Sequence, residues 1–305
     1  MSLGYDRRLY ILAFDHRGSF ESKLFGIKGE PSAEEAERIK DAKSVIAEGF
    51  ERALKRGVAK GEGGILVDEQ YGAEIARRAG EDGWTFAMPV EASGRDEFEL
   101  EFGDGFGEHI EAFDPTFSKV LVRYNPDDDA AAKRRQQERF ARLSDWLHER
   151  DRKFLFELLV PASDRQLEQA GGDPVRYDAE VRPGLMRQAI SELRSGGAEP
   201  DVWKIEGLDR REDCRRIAQL VRAGGRDQVG CVVLGRGADA SKVEHWLRQG
   251  AGVSGYVGFA IGRTIWWDAL SGWLGGSLER DQAAEQIADN YLWAIQIYSE
   301  AATSA

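Results

Sequence analysis

The sequence predicts an α/β protein that folds as a single (β/α)8 barrel, or TIM barrel, over residues 1–305. Eight short apolar runs, bounded by glycine, proline or charged residues, alternate with longer stretches in which apolar residues recur at helical spacing. No Pro/Ser-rich linker and no repeat longer than one strand-helix unit divides the chain, which favours one closed barrel over two domains. A doubly wound open sheet is the competing architecture.

Each predicted strand is a run of four to six residues. Several runs are continuously apolar, as expected of strands that are buried on both faces of a parallel sheet. The eight runs cover residues 10–14, 64–67, 85–88, 119–122, 154–159, 202–205, 231–234 and 256–261. Since parallel strands need crossover connections, helices are expected between them.

The stretch after the first run is the clearest predicted helix. Ser32 and Glu35 form a capping box, and apolar residues then recur at helical spacing until Gly57. One more helix begins near Ile265. The other predicted helices cover residues 70–78, 130–150, 178–194, 209–223, 241–248 and 282–300.

Two segments interrupt the alternation, residues 91–115 and 161–183. Each follows a strand, so each is expected to lie over the carboxyl-terminal end of the barrel. Loops in that position often close over a substrate, but the acidic composition of the first segment favours a surface excursion without a catalytic role.

Composition argues against several classes of function. The formal net charge of −12 leaves no chain-wide field for binding nucleic acid or anionic lipid, so neither partner is expected. Two cysteines and four histidines, none closely paired, argue against a zinc or multi-histidine metal site, while a carboxylate-bound magnesium ion stays open. The chain shows no charged-then-apolar leader and no apolar run near the roughly 18 residues of a membrane span, which predicts a reduced, cytoplasmic protein.

The sixth run carries the most unusual residue of the sequence. Lys204 lies inside an apolar strand and shares a face with Glu206, because side chains alternate along a strand. Burial and a neighbouring cation both lower the pKa of a lysine, and a neutral amine attacks a ketone to form an iminium ion. That ion withdraws electrons from the adjacent carbon-carbon bond. A lysine that reaches the barrel rim, or pairs with Glu206, explains this strand equally well.

Three further positions offer groups that would support such chemistry. Lys119, at the start of the fourth run, is a candidate for the cation that lowers the pKa of Lys204. Glu157 lies between apolar neighbours on the fifth run and therefore needs a cationic partner. Asp15 ends the first run. The alternatives are a surface-exposed Lys119 and a purely structural pair between Asp15 and Arg17.

Glycine and arginine follow both the seventh and the eighth run. The loops after these two strands commonly bind phosphate in this fold, and glycine lets backbone N–H groups approach an anion. Tight turns are the competing explanation for the glycines. The predicted phosphate- and substrate-binding residues, including two arginines at the ends of the first and fourth runs, are Arg17, Arg123, Gly235, Arg236, Gly262 and Arg263.

Other carboxylates follow the second and third runs. Asp68, Glu69 and Glu91 are placed either to orient substrate hydroxyl groups or to pair with Arg17 and Arg123. For Glu69 and Glu91 the structural role is favoured.

Six stretches form an ordered set: LAFDHRG (12–18), VDEQYG (67–72), KVLVRY (119–124), FEL (156–158), VWKIE (202–206) and GRT (262–264). In order and spacing they resemble the class I tagatose-1,6-bisphosphate aldolase group. The resemblance is closer to the 2-deoxy-5-keto-gluconate 6-phosphate aldolase-like domain that is fused to a sugar kinase in inositol catabolism, and it covers most of the chain. It implies a carbon-carbon lyase that requires no metal or organic cofactor.

The resemblance also implies roles for individual residues. Lys204 matches the Schiff-base lysine on strand six, Glu157 the acid/base on strand five, Lys119 the assisting lysine on strand four, and Asp15 the strand-one carboxylate. Arg263 matches the phosphate-binding arginine after strand eight. Two departures concern the substrate rather than the reaction type: the chain has no kinase half, and residues 235–237 replace a serine-rich turn.

The resulting hypothesis is that Lys204 condenses with the ketone of a ketose phosphate, Glu157 handles the protons of dehydration, and Asp15 removes the hydroxyl proton as the bond breaks. The implied substrate is 2-deoxy-5-keto-gluconate 6-phosphate, which would give dihydroxyacetone phosphate and malonic semialdehyde. Two rivals stay open, a metal-assisted aldolase and a sugar-phosphate-binding regulator without turnover.

Aromatic residues are concentrated near the carboxyl terminus. They fit either the interface of a homo-oligomer or the packing of the last two helices, and the second interpretation is favoured. The residues are Trp266, Trp267, Trp273, Tyr291 and Trp293.

Overall fold

Eight parallel strands close into a barrel in chain order in the computed structural model, which describes residues 3–59 and 61–304. The strands are β1 (Leu9–Ala13), β2 (Gly63–Leu66), β3 (Thr85–Pro89), β4 (Phe117–Arg123), β5 (Lys153–Leu159), β6 (Val202–Glu206), β7 (Gly230–Leu234) and β8 (Tyr256–Ile261). Pairing of β8 with β1 completes the ring. The predicted (β/α)8 barrel is therefore confirmed, and the open sheet is excluded.

Helices alternate with these strands. The α-helices within the described residues are α1 (Gly18–Leu24), α2 (Ala33–Lys55), α3 (Glu69–Asp82), α4 (Phe106–Phe113), α5 (Ala130–His148), α6 (Asp164–Gln169), α7 (Pro174–Arg176), α8 (Arg182–Ser195), α9 (Arg211–Arg222), α10 (Ala240–Gly250), α11 (Arg263–Leu274) and α12 (Arg280–Thr303). A π-helical turn, Tyr177–Val181, joins α7 to α8. None of the helices in residues 3–59 and 61–304 combines the length and the apolar character that crossing a membrane requires.

The eight strands lie within two residues of their predicted bounds, and the Ser32–Glu35 capping box is present at the start of α2. The segment 91–115 differs from its prediction because it contains α4. This helix buries only Phe106 and Ile110, and three glycines lie within and just before it, so its apolar periodicity is too short to recognise. The segment 161–183 likewise contains α6, α7 and the whole π-helical turn.

Inward-facing side chains fill the lower part of the barrel. This cluster comprises Tyr5, Leu9, Ile11, Ala13, Leu66, Ala87, Phe117, Leu155, Val202, Val232, Val257 and Ala260. Tyr5 packs edge-on against Phe117, with ring centroids 5.1 Å apart. A Cβ atom at Gly258 would lie 1.9 Å from the carbonyl oxygen of Leu9, so the close pairing of β8 with β1 requires glycine there.

The aromatic residues near the carboxyl terminus contribute to the outer core. Trp266 and Tyr291 are fully buried. The indole of Trp266 donates to the carbonyl oxygen of Ala13 at 2.9 Å, and the hydroxyl of Tyr291 donates to the carbonyl oxygen of Tyr10. Both aromatic side chains thus tie the last two helices to β1, whereas assembly into a homo-oligomer stays a prediction.

A buried carboxylate organises the amino-terminal end of the barrel. Asp201, which directly precedes β6, accepts hydrogen bonds from the backbone N–H groups of Gly4 and Phe154, both at 2.8 Å. The amine of Lys153 lies 2.9 Å away and the imidazole of His148 lies 3.2 Å away. One side chain therefore joins β5, β6, α5 and the chain before β1.

Removal of this carboxylate is expected to destabilise the fold. The substitution Asp201→Ala leaves two buried N–H donors without their acceptor and removes the ion pair with Lys153, which costs about 3 kcal/mol in the free energy of unfolding. Urea denaturation at pH 7 measures this loss. Asp145→Ala, which alters an exposed carboxylate on α5, is the control and should change stability by less than about 0.5 kcal/mol.

The pH dependence of stability in the wild type and in Asp201→Ala provides a further test of this carboxylate. Burial alone would raise the pKa of Asp201, but hydrogen bonds from His148, Gly4, Lys153 and Phe154 outweigh it and lower that pKa. The contribution of the carboxylate to stability is therefore present above its unfolded-state pKa of about 3.9 and is lost as the pH falls toward the folded-state pKa. The stability gap to Asp201→Ala should narrow below about pH 4. A constant gap between pH 3 and 7 would contradict this assignment.

A second buried ion pair fixes the chain at the opposite end of the barrel. Lys43 on α2 is fully buried, and its amine donates to the carbonyl oxygens of Phe14 at 2.9 Å and His16 at 3.0 Å. The same amine pairs with the carboxylate of Asp68. Asp68 also caps α3 by accepting from the N–H of Tyr71 at 2.9 Å. Lys43 thus holds in place the segments that follow β1 and β2.

Replacement of Lys43 by methionine should destabilise the protein by about 3–5 kcal/mol, because it leaves the Asp68 carboxylate buried without a cation. The measurement is the midpoint of urea unfolding. In the double variant Lys43→Met/Asp68→Asn, a neutral amide replaces that carboxylate and part of the loss should be recovered. Lys40→Met, one helical turn earlier and exposed, is the matched control. Equal effects of the two lysine substitutions would contradict the role of Lys43.

Candidate active site

Three predicted site residues lie side by side inside the upper half of the barrel. The strand register places Glu157 on β5 directly beside Lys204 on β6, and Lys119 reaches them from β4. The amine of Lys204 donates to Oε2 of Glu157 at 3.0 Å, and the amine of Lys119 lies 3.1 Å from the same oxygen. Lys119 is 1% exposed and Lys204 is 2% exposed. Both amines therefore share one carboxyl group in the interior of the molecule.

Two carboxyl groups from the loops complete this cluster. Asp15 lies two residues beyond β1 and Glu91 two residues beyond β3, so each keeps the inward orientation of its strand. The amine of Lys119 lies 2.8 Å from Oδ2 of Asp15 and 3.0 Å from Oε1 of Glu91. Lys119 thus contacts three carboxyl groups. We call Asp15, Glu91, Lys119, Glu157 and Lys204 the ionic cluster.

Burial and charge act against each other in the ionic cluster. Burial would raise the pKa of Asp15, but the ammonium groups of Lys119 and Lys204 outweigh it and hold that pKa well below its usual range. The pKa of Glu157 is lowered by the same two cations against the same penalty. For Glu91 burial prevails, and its pKa is raised. Burial would lower the pKa of Lys119, but the acidic side chains of Asp15, Glu157 and Glu91 raise it well above its usual value.

Glu91 does not have the partner that the sequence indicated. The guanidinium of Arg17 donates to the carbonyl oxygen of Glu91 at 2.8 Å and to the carboxylate of Glu101, rather than to the Glu91 side chain. Arg123 forms no ion pair with it either. Oε2 of Glu91 is buried and has no hydrogen-bond partner among the described residues. The sequence signal that indicates an inward-facing Glu91 is its position two residues after Pro89, because side chains alternate along β3 and its extension.

Asp68 and Glu69 do not join the ionic cluster. Asp68 pairs with Lys43, and Oε1 of Glu69 lies 3.4 Å from the imidazole of His109. Within residues 3–59 and 61–304, no group of three or more His, Cys, Asp or Glu side chains is arranged to hold a metal ion.

A cavity of about 650 Å³ opens above the ionic cluster at the carboxyl-terminal ends of the strands. All residues from 91 to 98 line it, so the segment expected to be a surface excursion forms one wall of the cavity. Gly235 does not line the cavity, whereas Gly237, two residues later, does. The predicted substrate-binding residues that do line it are Arg17, Arg123, Arg236, Gly262 and Arg263.

The arginines that line the cavity differ in how their charges are compensated. Arg236 is held by two carboxylates, that of Asp178 at 2.6 Å and that of Glu206 at 3.0 Å. Arg263 donates to the carbonyl oxygen of Arg236 at 2.9 Å but has no ion-pair partner in the described part of the chain. Arg123 is exposed and likewise forms no ion pair there. Arg123 and Arg263 are therefore the better placed to bind an anion.

Glu206 shares a face with Lys204, as predicted, but the two side chains have different partners. Oε2 of Glu206 accepts from the N–H of Val160 at 2.9 Å, and Oε1 pairs with Arg236. Lys204 therefore neither pairs with Glu206 nor extends to the barrel rim.

Helix α11 begins at the cavity wall. Gly262 precedes its first residue, and a Cβ atom at Gly262 would lie 2.3 Å from the carbonyl oxygen of Ala13, so glycine is needed where β8 meets β1. No side chain caps the first turn of this helix. An uncapped helix amino terminus beside Arg263 offers partial positive charge and N–H donors, which together suit a phosphate group.

His16 is a further polar group of the cavity for which the sequence indicated no role. Burial lowers the pKa of its imidazole to about 4, although Asp15 opposes this shift. The ring packs edge-on against Trp266, and its Nδ1 is buried without a hydrogen-bond partner among the described residues. His16 is thus a neutral imidazole near pH 7.

The fold is similar to that of known barrel structures. Fructose-bisphosphate aldolase from Plasmodium falciparum, solved in a ternary complex with TRAP and a small-molecule inhibitor, superposes with a TM-score of 0.62 at 15% identity, over 97% of this chain and 91% of that chain. Cgl0159 from Corynebacterium glutamicum superposes with a TM-score of 0.58 at 16% identity, over 98% of this chain and 88% of that chain. At these identities the likeness shows an aldolase-like barrel fold and nothing about chemistry.

Sequence comparison gives a family rather than a named relative. No match is found among curated protein sequences. Residues 5–302 match the model of the family described as "Uncharacterized protein conserved in bacteria (DUF2090)". The chain therefore belongs to the DUF2090 family.

Proposed function

We propose that this protein is a class I aldolase that cleaves or forms a carbon-carbon bond in a ketose phosphate through a Schiff base on Lys204. The observation that carries the proposal is the buried amine of Lys204, which donates to Oε2 of Glu157 at 3.0 Å beneath an open cavity. Amine nucleophiles need a nearby group that takes their proton and an environment that excludes water. The aldolase-like barrel fold supports the proposal.

Glu157 manages the protons of Schiff-base formation. It accepts a proton from Lys204, and the free amine then attacks the ketone carbon to give a carbinolamine. Glu157 returns the proton to the departing hydroxyl group, which leaves as water and generates the iminium ion. Because the carboxyl group lies within hydrogen-bond distance of the amine, no large movement is needed for either transfer.

Asp15 serves as the base of the cleavage step. The ammonium group of Lys119, 2.8 Å away, keeps the Asp15 carboxylate ionised and therefore able to accept a proton. Asp15 removes the proton of the substrate hydroxyl, the carbon-carbon bond breaks, and its electron pair moves into the iminium group to form an enamine. An aldehyde leaves the site.

The phosphate group of the substrate is assigned to Arg263 and the amino terminus of α11, with Arg123 as a second cation on the cavity wall. The sequence resemblance makes 2-deoxy-5-keto-gluconate 6-phosphate the first substrate to examine. Its cleavage would yield dihydroxyacetone phosphate and malonic semialdehyde, which connects the protein to inositol catabolism. Other ketose phosphates have the same reacting groups.

Borohydride trapping tests the covalent step. Incubation with dihydroxyacetone phosphate and borohydride should reduce the iminium ion to a stable secondary amine, and mass mapping should find the adduct on Lys204. The variant Lys204→Met should form no adduct and lose cleavage activity, while the exposed Lys28→Met serves as the matched control and behaves as the wild type. Cleavage without an adduct would indicate a metal-assisted aldolase. Binding with neither adduct nor cleavage would indicate a regulator, and either result would contradict the proposal.

A second test addresses the phosphate site. The variant Arg263→Ala removes a cation from the cavity wall, and hydrogen bonds to charged groups contribute about 1.5–3 kcal/mol. The concentration of dihydroxyacetone phosphate that gives half-maximal borohydride adduct should therefore rise about 10- to 100-fold, with the adduct at saturation unchanged. Arg134→Ala, on the exposed face of α5, is the control. An unchanged half-saturating concentration of dihydroxyacetone phosphate in Arg263→Ala would contradict the assignment of the phosphate group to Arg263.

A further inference from the structure

The proposed reaction cycle leaves one proton transfer without a donor. After the aldehyde has left, the enamine carbon must gain a proton before the second product can be released from Lys204. Glu157 acts at the nitrogen and oxygen atoms of Schiff-base formation, and Asp15 faces the hydroxyl group that it has deprotonated. The neutral imidazole of His16 is a poor acid because it carries no extra proton near pH 7.

Glu91 has the geometry of the missing acid. It is 8% exposed, it lines the cavity, and its Oε1 lies 3.0 Å from the amine of Lys119. Its other oxygen, Oε2, is buried without a partner among the described residues. The nearby guanidinium of Arg17 donates to the carbonyl oxygen of Glu91 and to the Glu101 carboxylate rather than to the Glu91 side chain, although its charge opposes the effect of burial on the pKa of Glu91.

The backbone holds this carboxyl group in place. Glu91 forms an isolated antiparallel bridge with Leu100, and the N–H of Glu101 donates to the carbonyl oxygen of Val90 at 3.0 Å. Together with Arg17, these contacts anchor the start of the segment that forms the cavity wall. The side chain therefore enters the ionic cluster from a fixed point.

The charges of the ionic cluster point to a proton on Glu91. In the resting cluster two amines face three carboxyl groups, so the carboxylates of Asp15 and Glu157 already balance the ammonium groups of Lys119 and Lys204. Ionisation of Glu91 would give the buried cluster a net negative charge, which is unfavourable. Burial raises the pKa of Glu91, whereas the pKa values of Asp15 and Glu157 are lowered.

We propose that Glu91 holds a proton in the resting protein and donates it to the enamine carbon, which makes Glu91 a catalytic residue of the reaction proposed above. The enamine electron pair forms the new C–H bond, the nitrogen on Lys204 becomes an iminium cation, and Glu91 becomes a carboxylate. The net charge does not change in this step. The new carboxylate has the ammonium group of Lys119 beside it at 3.0 Å.

Lys119 closes the proton cycle. Its amine contacts both Asp15, at 2.8 Å, and Glu91, at 3.0 Å, so it bridges the group that has gained a proton and the group that has lost one. Lys119 gives a proton to Glu91 and takes one from Asp15, which restores the starting state of all three residues. The proton removed from the substrate hydroxyl group thereby balances the proton delivered to carbon.

Hydrogen-deuterium exchange separates this role from Schiff-base formation. In D2O, the wild-type protein should replace a hydrogen of dihydroxyacetone phosphate with deuterium on the carbon next to the carbonyl group. Proton NMR measures the rate at which the signal of this hydrogen is lost. The variant Glu91→Gln keeps an acceptor for Lys119 but has no acidic proton, so exchange should fall by about 100-fold or more. The borohydride adduct on Lys204 should still form. Glu91→Asp retains a carboxyl group and should exchange faster than Glu91→Gln.

Glu99→Gln alters an exposed carboxylate of the same cavity-wall segment and should behave as the wild type. Exchange at the wild-type rate in Glu91→Gln overturns the proposal. So does equal loss of adduct and exchange in both Glu91 variants, because a group that only shapes the site would affect both readouts. If the wild type itself forms no adduct, the Schiff base on Lys204 is wrong, and the role of Glu91 is overturned with it.

Discussion

The candidate site depends on the contact of one ammonium group with three carboxyl groups. Without Lys119, the side chains of Asp15, Glu91 and Glu157 would place three acidic groups in a buried space, where uncompensated charge costs several kcal/mol per ion. Their positions are therefore mutually constrained. Lys204 enters the same arrangement through Glu157, so the position of its amine is fixed by the same set of contacts.

The scaffold places rigid elements around this contact. Adjacent strands β4, β5 and β6 supply three of the side chains, and hydrogen-bonded registry fixes the distances between them. The two loop residues are held less directly: the segment after β1 by Lys43, and the segment after β3 by Arg17. Asp201 joins strands at the other end of the barrel, so a main determinant of stability is separated from the proposed chemistry.

The sequence predicts features that depend on local patterns better than contacts between residues that are distant along the chain. A single charged residue within an apolar run is visible in the sequence, and Lys204 and Glu157 were recognised in this way. The barrel is also predictable, because the alternation of short apolar runs with helical stretches is a local sequence pattern. Glu91 and its partner Lys119 are 28 residues apart, and Lys43 and its partner Asp68 are 25 residues apart. Because the two members of each pair belong to different strand-helix units, no local sequence pattern predicts these contacts. Gly235 does not line the cavity whereas Gly237 does, and a difference of two residues within a loop is too fine for the sequence to resolve.

The tie between Arg236 and Asp178 has a thermodynamic consequence. Arg236 follows β7, whereas Asp178 belongs to the π-helical turn before α8, and the guanidinium and carboxylate lie 2.6 Å apart. A ligand anion that recruited Arg236 would have to separate this pair and give up its attraction. A displacement of the turn would break the pair with Asp178 and leave Arg236 in contact with Glu206. By reciprocity, the factor by which this displacement raises the affinity for the anion equals the factor by which the bound anion favours the displaced turn. Binding of an anion by Arg236 at the edge of the cavity and displacement of the π-helical turn before α8 are thus thermodynamically coupled.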